Sequence, residues 1–210
     1  IDLSMGYYHI PLDEESQKLC TMILPWGKYR QYLRLPMGIK NSPDICQYIM
    51  MDLLGDLEFC QTYIDVILIT SDGSFEDHLK KLDVVLQRLE KAGFRANVRK
   101  CFFAEDNVEY LGYQLTRDGI QPQPKKVEAI LRIAPPKTKR QLRHFLGMVN
   151  FYHDVWRRRS HLLAPLTGLV SPTAKWKWGK EQQEAFEEIK KVVGKQTLLT
   201  FPVFNKEFHV

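Results

Sequence analysis

Apolar and polar residues alternate differently in the front and rear parts of the chain. In the front part, short runs of β-branched and aromatic residues predict strands, because such side chains fit a pleated, half-buried surface. The clearest run is TYIDVILIT at 62–70, which is typical of a buried strand or a tight hairpin. Other strands are expected at the opening IDLSMGYY and at 20–24, 28–35, 101–103 and 108–116, with a turn in IPLDEES.

Helical periodicity marks two segments of the front part. Residues 42–54 predict a helix with Ser42 as its N-cap, Pro43 in its first turn and Gly55 after its end. Residues 74–92 predict a second helix, which Gly93 terminates. The apolar face of this second helix is expected to consist of four leucines, Leu79, Leu82, Leu86 and Leu89.

The rear part is predicted to be mainly helical. Thr138 and Gln141 form a capping box after the break at Pro135-Pro136. The inward face of the helix that follows is expected to be Leu142, Phe145, Val149 and Tyr152. A last helix is predicted at 180–193, with Ala185, Phe186, Ile189 and Val193 inward. The pattern therefore predicts an α+β domain to about residue 118, followed by a helical one.

Composition adds a division of charge to this picture. The chain has 210 residues, 44% of them apolar, enough for one large or two small cores. Residues 1–116 carry 12 Lys and Arg against 17 Asp and Glu, whereas 117–160 carry 11 against 3. A basic segment can track phosphates, although it can equally be a solvated face. Four scattered cysteines without a C-x-x-C pair, and no apolar run of membrane length, lead us to expect an intracellular protein, in a cytoplasmic particle or the nucleus.

Two aspartates within predicted strands are the candidate chemistry. Hydrolase, P-loop and dinucleotide-binding motifs are missing from the sequence. Asp2 and Asp65 remain, and two carboxylates from neighbouring strands would suit Mg²⁺, which completes its shell with waters and substrate phosphates. Spacing alone leaves open that they are separate aspartates, each hydrogen-bonded to backbone.

Six motifs in order resemble the reverse transcriptase of Ty3/Gypsy-type long-terminal-repeat retrotransposons. They are IDLSMGYYHIPLD, LPMGIKNSPDICQYIM, YIDVILIT, KCFF with VEYLGYQLTRDGI, KKVEAILRIAPPKTKRQLRHFLGMVNFY, and WKWGKEQQEAFEEIKK with LLTFPVFNKEFHV. The resemblance implies a polymerase palm with an antiparallel sheet and packed helices at 1–118, a basic helical thumb at 119–170 and a connection at 171–210. It also implies an RNA or DNA template with a primer, deoxynucleoside triphosphates and two Mg²⁺ ions.

The resemblance further implies roles for individual residues. Asp2 and Asp65 would bind the metal ions with the Leu3 carbonyl, and Lys100 would protonate the departing pyrophosphate. Tyr7 would crowd a 2′-hydroxyl of the incoming nucleotide. The nucleotide wall would be Met37, Gly38, Pro43 and Gln47. The primer grip would be Leu111, Gly112 and Tyr113, and the cations on the duplex backbone would be Lys139, Arg140 and Arg143.

Departures from the family pattern predict weak or undetectable activity. Val66 stands where the family has a second hairpin aspartate, and Asp44 and Cys46 replace a small residue and an aromatic. The sequence starts one residue before Asp2 and stops before a ribonuclease H carboxylate would appear, so we expect a fragment of a Pol polyprotein without its fingers. Two alternatives stay open: a non-catalytic nucleic-acid-binding remnant, or a remnant that acts only through protein interactions.

Overall fold

The computed structural model describes residues 1–27, 29–155, 159–195 and 198–201. The chain divides into two compact units, Ile1–Glu105 and Asp106–Val210. The predicted α+β class is confirmed. The division into palm, thumb and connection at 118 and 170 stays a prediction, and 156–158, 196–197 and 202–210 of the last two regions lie outside the described residues. No helix in the described ranges is long and apolar enough to cross a membrane.

The first unit pairs two small hairpins with three helices. Its elements are a 3₁₀ helix Gly6–His9, α1 Glu14–Leu19, β1 Thr21–Ile23, β2 Tyr29–Gln31, α2 Ser42–Leu54, β3 Cys60–Tyr63, β4 Val66–Ile69, α3 Phe75–Lys91 and a 3₁₀ turn Val98–Lys100. β1 pairs antiparallel with β2, and β3 with β4. Met50 and Leu54 of α2, Ile67 of β4, and Val85 and Leu89 of α3 are buried in one core.

The second unit packs helices beside a three-stranded antiparallel sheet. Its elements are β5 Val108–Tyr110, β6 Tyr113–Leu115, β7 Ile120–Pro122, α4 Pro124–Leu131, α5 Lys139–Phe151, a 3₁₀ turn His153–Val155, α6 Arg159–Thr167, a 3₁₀ turn Gly168–Val170 and α7 Lys180–Gly194. The strand order is β5-β6-β7. The predicted inward face of α5 is buried as expected, and Phe186, Ile189 and Val193 of α7 join the same core.

Several local predictions were wrong. The opening strand is reduced to isolated bridges at Asp2 and Leu3, and the expected turn at 10–16 contains the start of α1, which Asp13 caps by accepting a hydrogen bond from the Ser16 amide. Residues 101–103 form no strand, and 108–116 is a hairpin rather than one strand. The buried residues of α3 are Val85 and Leu89, while Leu79 and Leu86 are exposed.

Two helix caps differ from the prediction, the first in its capping residue and the second in one of its two expected hydrogen bonds. Asn41 occupies the N-cap of α2, and the Ser42 hydroxyl instead donates to the Pro36 carbonyl at 2.7 Å. The Thr138 hydroxyl caps α5 as predicted, by accepting from the Gln141 amide at 3.2 Å. The Gln141 side chain, however, accepts from the Lys137 amide at 2.8 Å and not from Thr138.

Candidate active site

Asp65 lies in the two-residue turn that joins β3 to β4. The register pairs Tyr63 with Val66, so Ile64 and Asp65 form the turn. Ile64 has φ +54°, a strained backbone conformation for a β-branched residue. The Ile64 amide donates to the Gln47 side-chain oxygen at 2.7 Å, and the Gln47 nitrogen donates to the Thr62 carbonyl at 3.2 Å. Gln47 therefore holds the strained turn that presents Asp65.

The start of the chain pairs with β4 and brings Asp2 beside Val66. The Leu3 amide donates to the Asp65 carbonyl at 2.9 Å, and the Ile67 amide donates to the Ile1 carbonyl at 2.8 Å. Asp2 and Val66 are thus directly opposite in an antiparallel bridge whose hydrogen bonds flank them. In such a pair the side chains share a face, with Cα atoms about 4.5 Å apart. The isopropyl group of Val66 consequently lies next to the Asp2 carboxylate.

The surroundings of Asp65 contain the residues that follow Asp2. A Cβ on Gly6 would lie 3.2 Å from the Asp65 Cβ, so the 3₁₀ helix Gly6–His9 approaches Asp65 closely. Burial raises the pKa of the Tyr7 phenol, and the charges of Cys46 and Asp65 raise it further. Burial, followed by the Asp65 charge, also raises the pKa of the Cys46 thiol. Tyr7 therefore belongs to the immediate environment of Asp65.

Lys100 lies beside Asp2. Its Nζ is 3.8 Å from the Asp2 Oδ1, and its side chain is 65% exposed. The Asn97 amide donates to the Asp2 carbonyl at 2.8 Å, which ties the 3₁₀ turn that carries Lys100 to the start of the chain. The Cys101 thiol contacts the same backbone, accepting from the Asp2 amide at 3.4 Å.

The donor chemistry at this hairpin suits Mg²⁺ with an incomplete set of ligands. The bridge sets Asp2 opposite Val66, and the Leu3 amide donates to the Asp65 carbonyl. Carboxylate and carbonyl oxygens are the donors that Mg²⁺ prefers, and Mg²⁺ is often held by one or two carboxylates plus waters and phosphates. Within the described ranges, no group of three His, Cys, Asp or Glu side chains is placed to hold a metal. The role of Val66 as the position of a lost third carboxylate stays a prediction.

The predicted nucleotide wall is brought to the hairpin only in part. Pro43 lies in the first turn of α2, and Gln47 one turn later is engaged with the hairpin backbone. Met37 is 55% exposed in the turn before α2. Gly38 has φ +91° and open space where a Cβ would be, so a ligand can approach its backbone. The nucleotide-binding role of all four residues stays a prediction.

The predicted primer grip is the tip of the β5–β6 hairpin. Leu111 and Gly112 have φ +47° and +90°, as a two-residue turn of type I′ requires. The Tyr152 hydroxyl donates to the Gly112 carbonyl at 2.9 Å. The ring of Tyr113 stacks on Phe151 with centroids 5.7 Å apart. The end of α5 thus fixes the hairpin tip, a function of Tyr152 that its apolar spacing did not indicate.

The three predicted phosphate-binding cations of α5 lie in different environments. Lys139 donates to the Ser171 carbonyl at 2.8 Å, and Arg143 donates to the Val170 carbonyl at 2.9 Å. Arg140 instead lines an open groove. The duplex-binding role of all three cations stays a prediction.

Comparisons with known proteins agree on one family. A family profile described as reverse transcriptase (RNA-dependent DNA polymerase) matches residues 1–115. The chain is 34% identical over 223 residues to the retrovirus-related Pol polyprotein from transposon opus of Drosophila melanogaster, covering 100% of this chain and 22% of that protein. It is 31% identical over 209 residues to the transposon Tf2-3 polyprotein of Schizosaccharomyces pombe, covering 99% of this chain and 16% of that protein.

A solved structure gives the same result for the fold. A foamy viral protease-reverse transcriptase in complex with an RNA/DNA hybrid superposes with a TM-score of 0.87 and 30% identity, covering 95% of this chain and 27% of that chain. The chain therefore spans less than a quarter of the two transposon polyproteins and about a quarter of the foamy viral chain.

Proposed function

The chain belongs to the reverse transcriptase family, and we propose that it is the palm and thumb portion of a retrotransposon Pol polyprotein whose polymerase site has lost a carboxylate. In this proposal the protein holds a primer on an RNA or DNA template. Transfer of deoxynucleotides to the primer 3′-hydroxyl is weak or undetectable. The observation that carries the proposal is the bridge that sets Val66 opposite Asp2, next to the turn residue Asp65.

Each residue near the bridge has a task in this proposal. Asp2, Asp65 and the Leu3 carbonyl would hold Mg²⁺, which when bound neutralises phosphate charge and lowers the pKa of the primer hydroxyl. Lys100, whose Nζ lies 3.8 Å from the Asp2 Oδ1, would donate a proton to the departing pyrophosphate. Tyr7, whose phenol pKa is raised by burial and in part by the Asp65 charge, would crowd a sugar 2′-hydroxyl.

The loss at position 66 is the reason to expect little activity. An isopropyl group cannot ligate a cation, so one preorganised charge is missing where the transition state needs it. Removing a single such group typically costs about 10²–10³ in rate. Valine at position 66 also avoids a repulsion when no metal is bound. An aspartate there would face the Asp2 carboxylate across the bridge, and the two negative charges would repel each other.

Primer extension tests the proposal. Four chains are compared in Mg²⁺ with a labelled primer-template: the native chain, Val66→Asp, Val66→Asn, and Val66→Asp combined with Asp65→Asn. We expect Val66→Asp to extend the primer about 10²–10³ faster than the native chain, and Asp65→Asn to abolish the gain. Robust extension by the native chain would refute the loss of function.

A second candidate function is a non-catalytic nucleic-acid-binding module. It is favoured by the excess of cations at 117–160 and by the similarity to a reverse transcriptase that was solved with an RNA/DNA hybrid. It predicts duplex affinity that falls steeply with salt and is unchanged by Asp65→Asn. Affinity that is insensitive to salt would remove this candidate.

A further inference from the structure

The second unit has an open groove of about 530 Å³ between α6 and α7. Leu162 and Pro165 of α6 and Ala185 of α7 line this groove, and all three are half-buried. Leu162 and Ala185 also pack against the core of the unit, which fixes the apolar floor of the groove in position. Apolar surface of this kind, rimmed by polar groups, is typical of protein interaction sites.

Carboxylates form the rim of this groove. Four exposed glutamates of α7 line it: Glu181, Glu184, Glu187 and Glu188. Residues 106–210 carry 18 Lys and Arg against 10 Asp and Glu, so four of the ten acidic residues of a basic unit meet at one groove. Since a helix rises about 1.5 Å per residue, the rim from Glu181 to Glu188 extends over about 10 Å. The groove is therefore a local acidic surface on a unit of opposite overall charge.

The negative charge of the rim is only partly neutralised. The Lys180 Nζ lies 3.7 Å from the Glu184 Oε1, and the Lys191 Nζ, also at the groove, lies 3.4 Å from the Glu188 Oε2. Both pairs are largely exposed to solvent and contribute little to stability, so a bound cation can replace either lysine. Among the described residues, the ion pairs include neither of the other two glutamates. Glutamates one turn apart repel each other along the helix, and a cationic partner would relieve that repulsion.

Pro165 adds a further hydrogen-bond acceptor at the groove. A proline inside a helix has no N–H to donate to the carbonyl four residues earlier, which here is the carbonyl of His161. His161 itself lines the groove. Its carbonyl oxygen thus lacks the helical donor and joins the carboxylates as an acceptor. A ligand with positive charge and several N–H donors complements this set of groups.

We propose that the groove between α6 and α7 is a docking site for an arginine-rich segment of a partner protein. Arginine fits the rim because its guanidinium has five N–H donors and forms bidentate hydrogen bonds with carboxylates. Apolar side chains of the same segment cover the floor of the groove. Nucleic acid is the wrong occupant, because its phosphates would be repelled by four carboxylates. Within the described ranges, no group of three His, Cys, Asp or Glu side chains is placed to hold a metal ion there instead.

The test measures binding of a short fluorescent peptide, in which arginine alternates with leucine, to the full chain. Two control peptides replace either every arginine by glutamate or every leucine by glycine. The rim variant combines Glu181→Gln with Glu187→Gln, the two glutamates outside the ion pairs. The matched control variant combines Glu109→Gln with Glu128→Gln, because these exposed residues belong to the same unit and do not line the groove. Both double variants raise the net charge by the same amount.

The native chain should bind the arginine peptide with an affinity that falls as salt is added, because exposed charge pairs are screened. The rim variant should bind it about 3- to 30-fold more weakly, whereas the control variant should bind like the native chain. The glycine peptide should bind more weakly than the leucine peptide, because it leaves the apolar floor uncovered. The melting temperature of the rim variant should not fall, since the substitutions remove repulsion within α7. Weaker binding then reports the groove and not a loss of folding.

Three results would overturn the proposal. Equal weakening in both double variants would show that only overall charge matters and that the groove is not the site. Failure of the native chain to bind the arginine peptide, or equally tight binding of the glutamate peptide, would exclude the stated partner chemistry. Sedimentation of the chain alone tests the competing occupant. Self-association of the native chain that the rim variant abolishes would assign the groove to a second copy instead of a partner protein.

Discussion

Gly112 at the tip of the β5–β6 hairpin is a position where a single added methyl group should destabilise the second unit. Its φ is +90°, and a Cβ there would lie 2.6 and 2.7 Å from two ring carbons of Phe151 and 3.2 Å from the Lys126 Nζ. Gly112→Ala therefore adds a strained backbone and a steric overlap at the same site. Both effects follow from the aromatic support that the end of α5 gives to the hairpin.

The magnitude can be worked from the two contributions. An alanine held in a left-handed conformation costs about 1–2 kcal/mol. The Phe151 ring must move by about 0.7 Å or more to restore an ordinary contact near 3.4 Å, and overpacking of this kind typically costs about 1–3 kcal/mol. Movement of the ring also disturbs its stacking on Tyr113, whose centroid lies 5.7 Å away. The free energy of unfolding should fall by about 2–5 kcal/mol.

Urea unfolding followed by tryptophan fluorescence measures this change. Trp176 and Trp178 pack against the core of the second unit and report its unfolding. Gly147→Ala is the matched control, because Gly147 lies within α5 with open space at its Cβ position. That control should stabilise the protein by about 0.5–1 kcal/mol. Equal midpoints for the native chain and Gly112→Ala would refute the packing described for the hairpin tip.

Three other predictions concern the supports of the two hairpins and one ion pair. Gln47→Leu should abolish the protection of the Ile64 amide from hydrogen exchange, since the 2.7 Å bond that holds the turn is lost; retained protection would contradict an anchoring role. Tyr152→Phe should cost about 1–2 kcal/mol in thermal unfolding, because the Gly112 carbonyl loses its 2.9 Å donor; no loss would contradict this support. The Arg88 guanidinium lowers the pKa of Asp56 in the folded protein. The ion pair therefore stabilises the fold fully above the unfolded-state pKa of about 3.9, and this stabilisation is lost as the pH falls through the lower pKa of the folded state. The difference in melting temperature between the native chain and Asp56→Asn should therefore shrink in acid, and a difference that persists there would contradict the linkage.

Helices with strong periodicity and sharp ends were predictable from sequence. The bounds of α2 agree with the prediction at 42–54, and the inward residues of α5 and α7 were correct. In these helices the apolar spacing agrees with a second signal at the helix start, which is a proline in the first turn or a capping side chain. The face of α3 was predicted only in part. Leu89 is buried as expected, whereas Leu79 and Leu86 are exposed and tertiary packing buries Val85.

The sequence indicated residues of the candidate site but not the contacts that hold them in place. Motif resemblance pointed to Asp2, Asp65 and the Leu111-Gly112 tip. The amide of Gln47 was assigned to a nucleotide wall, whereas its contacts are with the turn backbone at Thr62 and Ile64. These contacts depend on how α2 packs on β3. Such packing leaves no periodic pattern in the sequence from which it could be predicted. The shared face of Asp2 and Val66 likewise depends on a register between segments more than sixty residues apart.

The central claim is that Asp2, Leu3 and Asp65 together form a cation site from which one carboxylate is missing. Paramagnetic broadening of amide signals by Mn²⁺, titrated into the native chain at substoichiometric amounts, tests it most directly. We predict broadening at Asp2, Leu3 and Asp65, its loss in Asp65→Asn, and broadening at lower Mn²⁺ in Val66→Asp. A native chain in which these signals stay sharp, or in which Mn²⁺ broadens a different region, would contradict the claim.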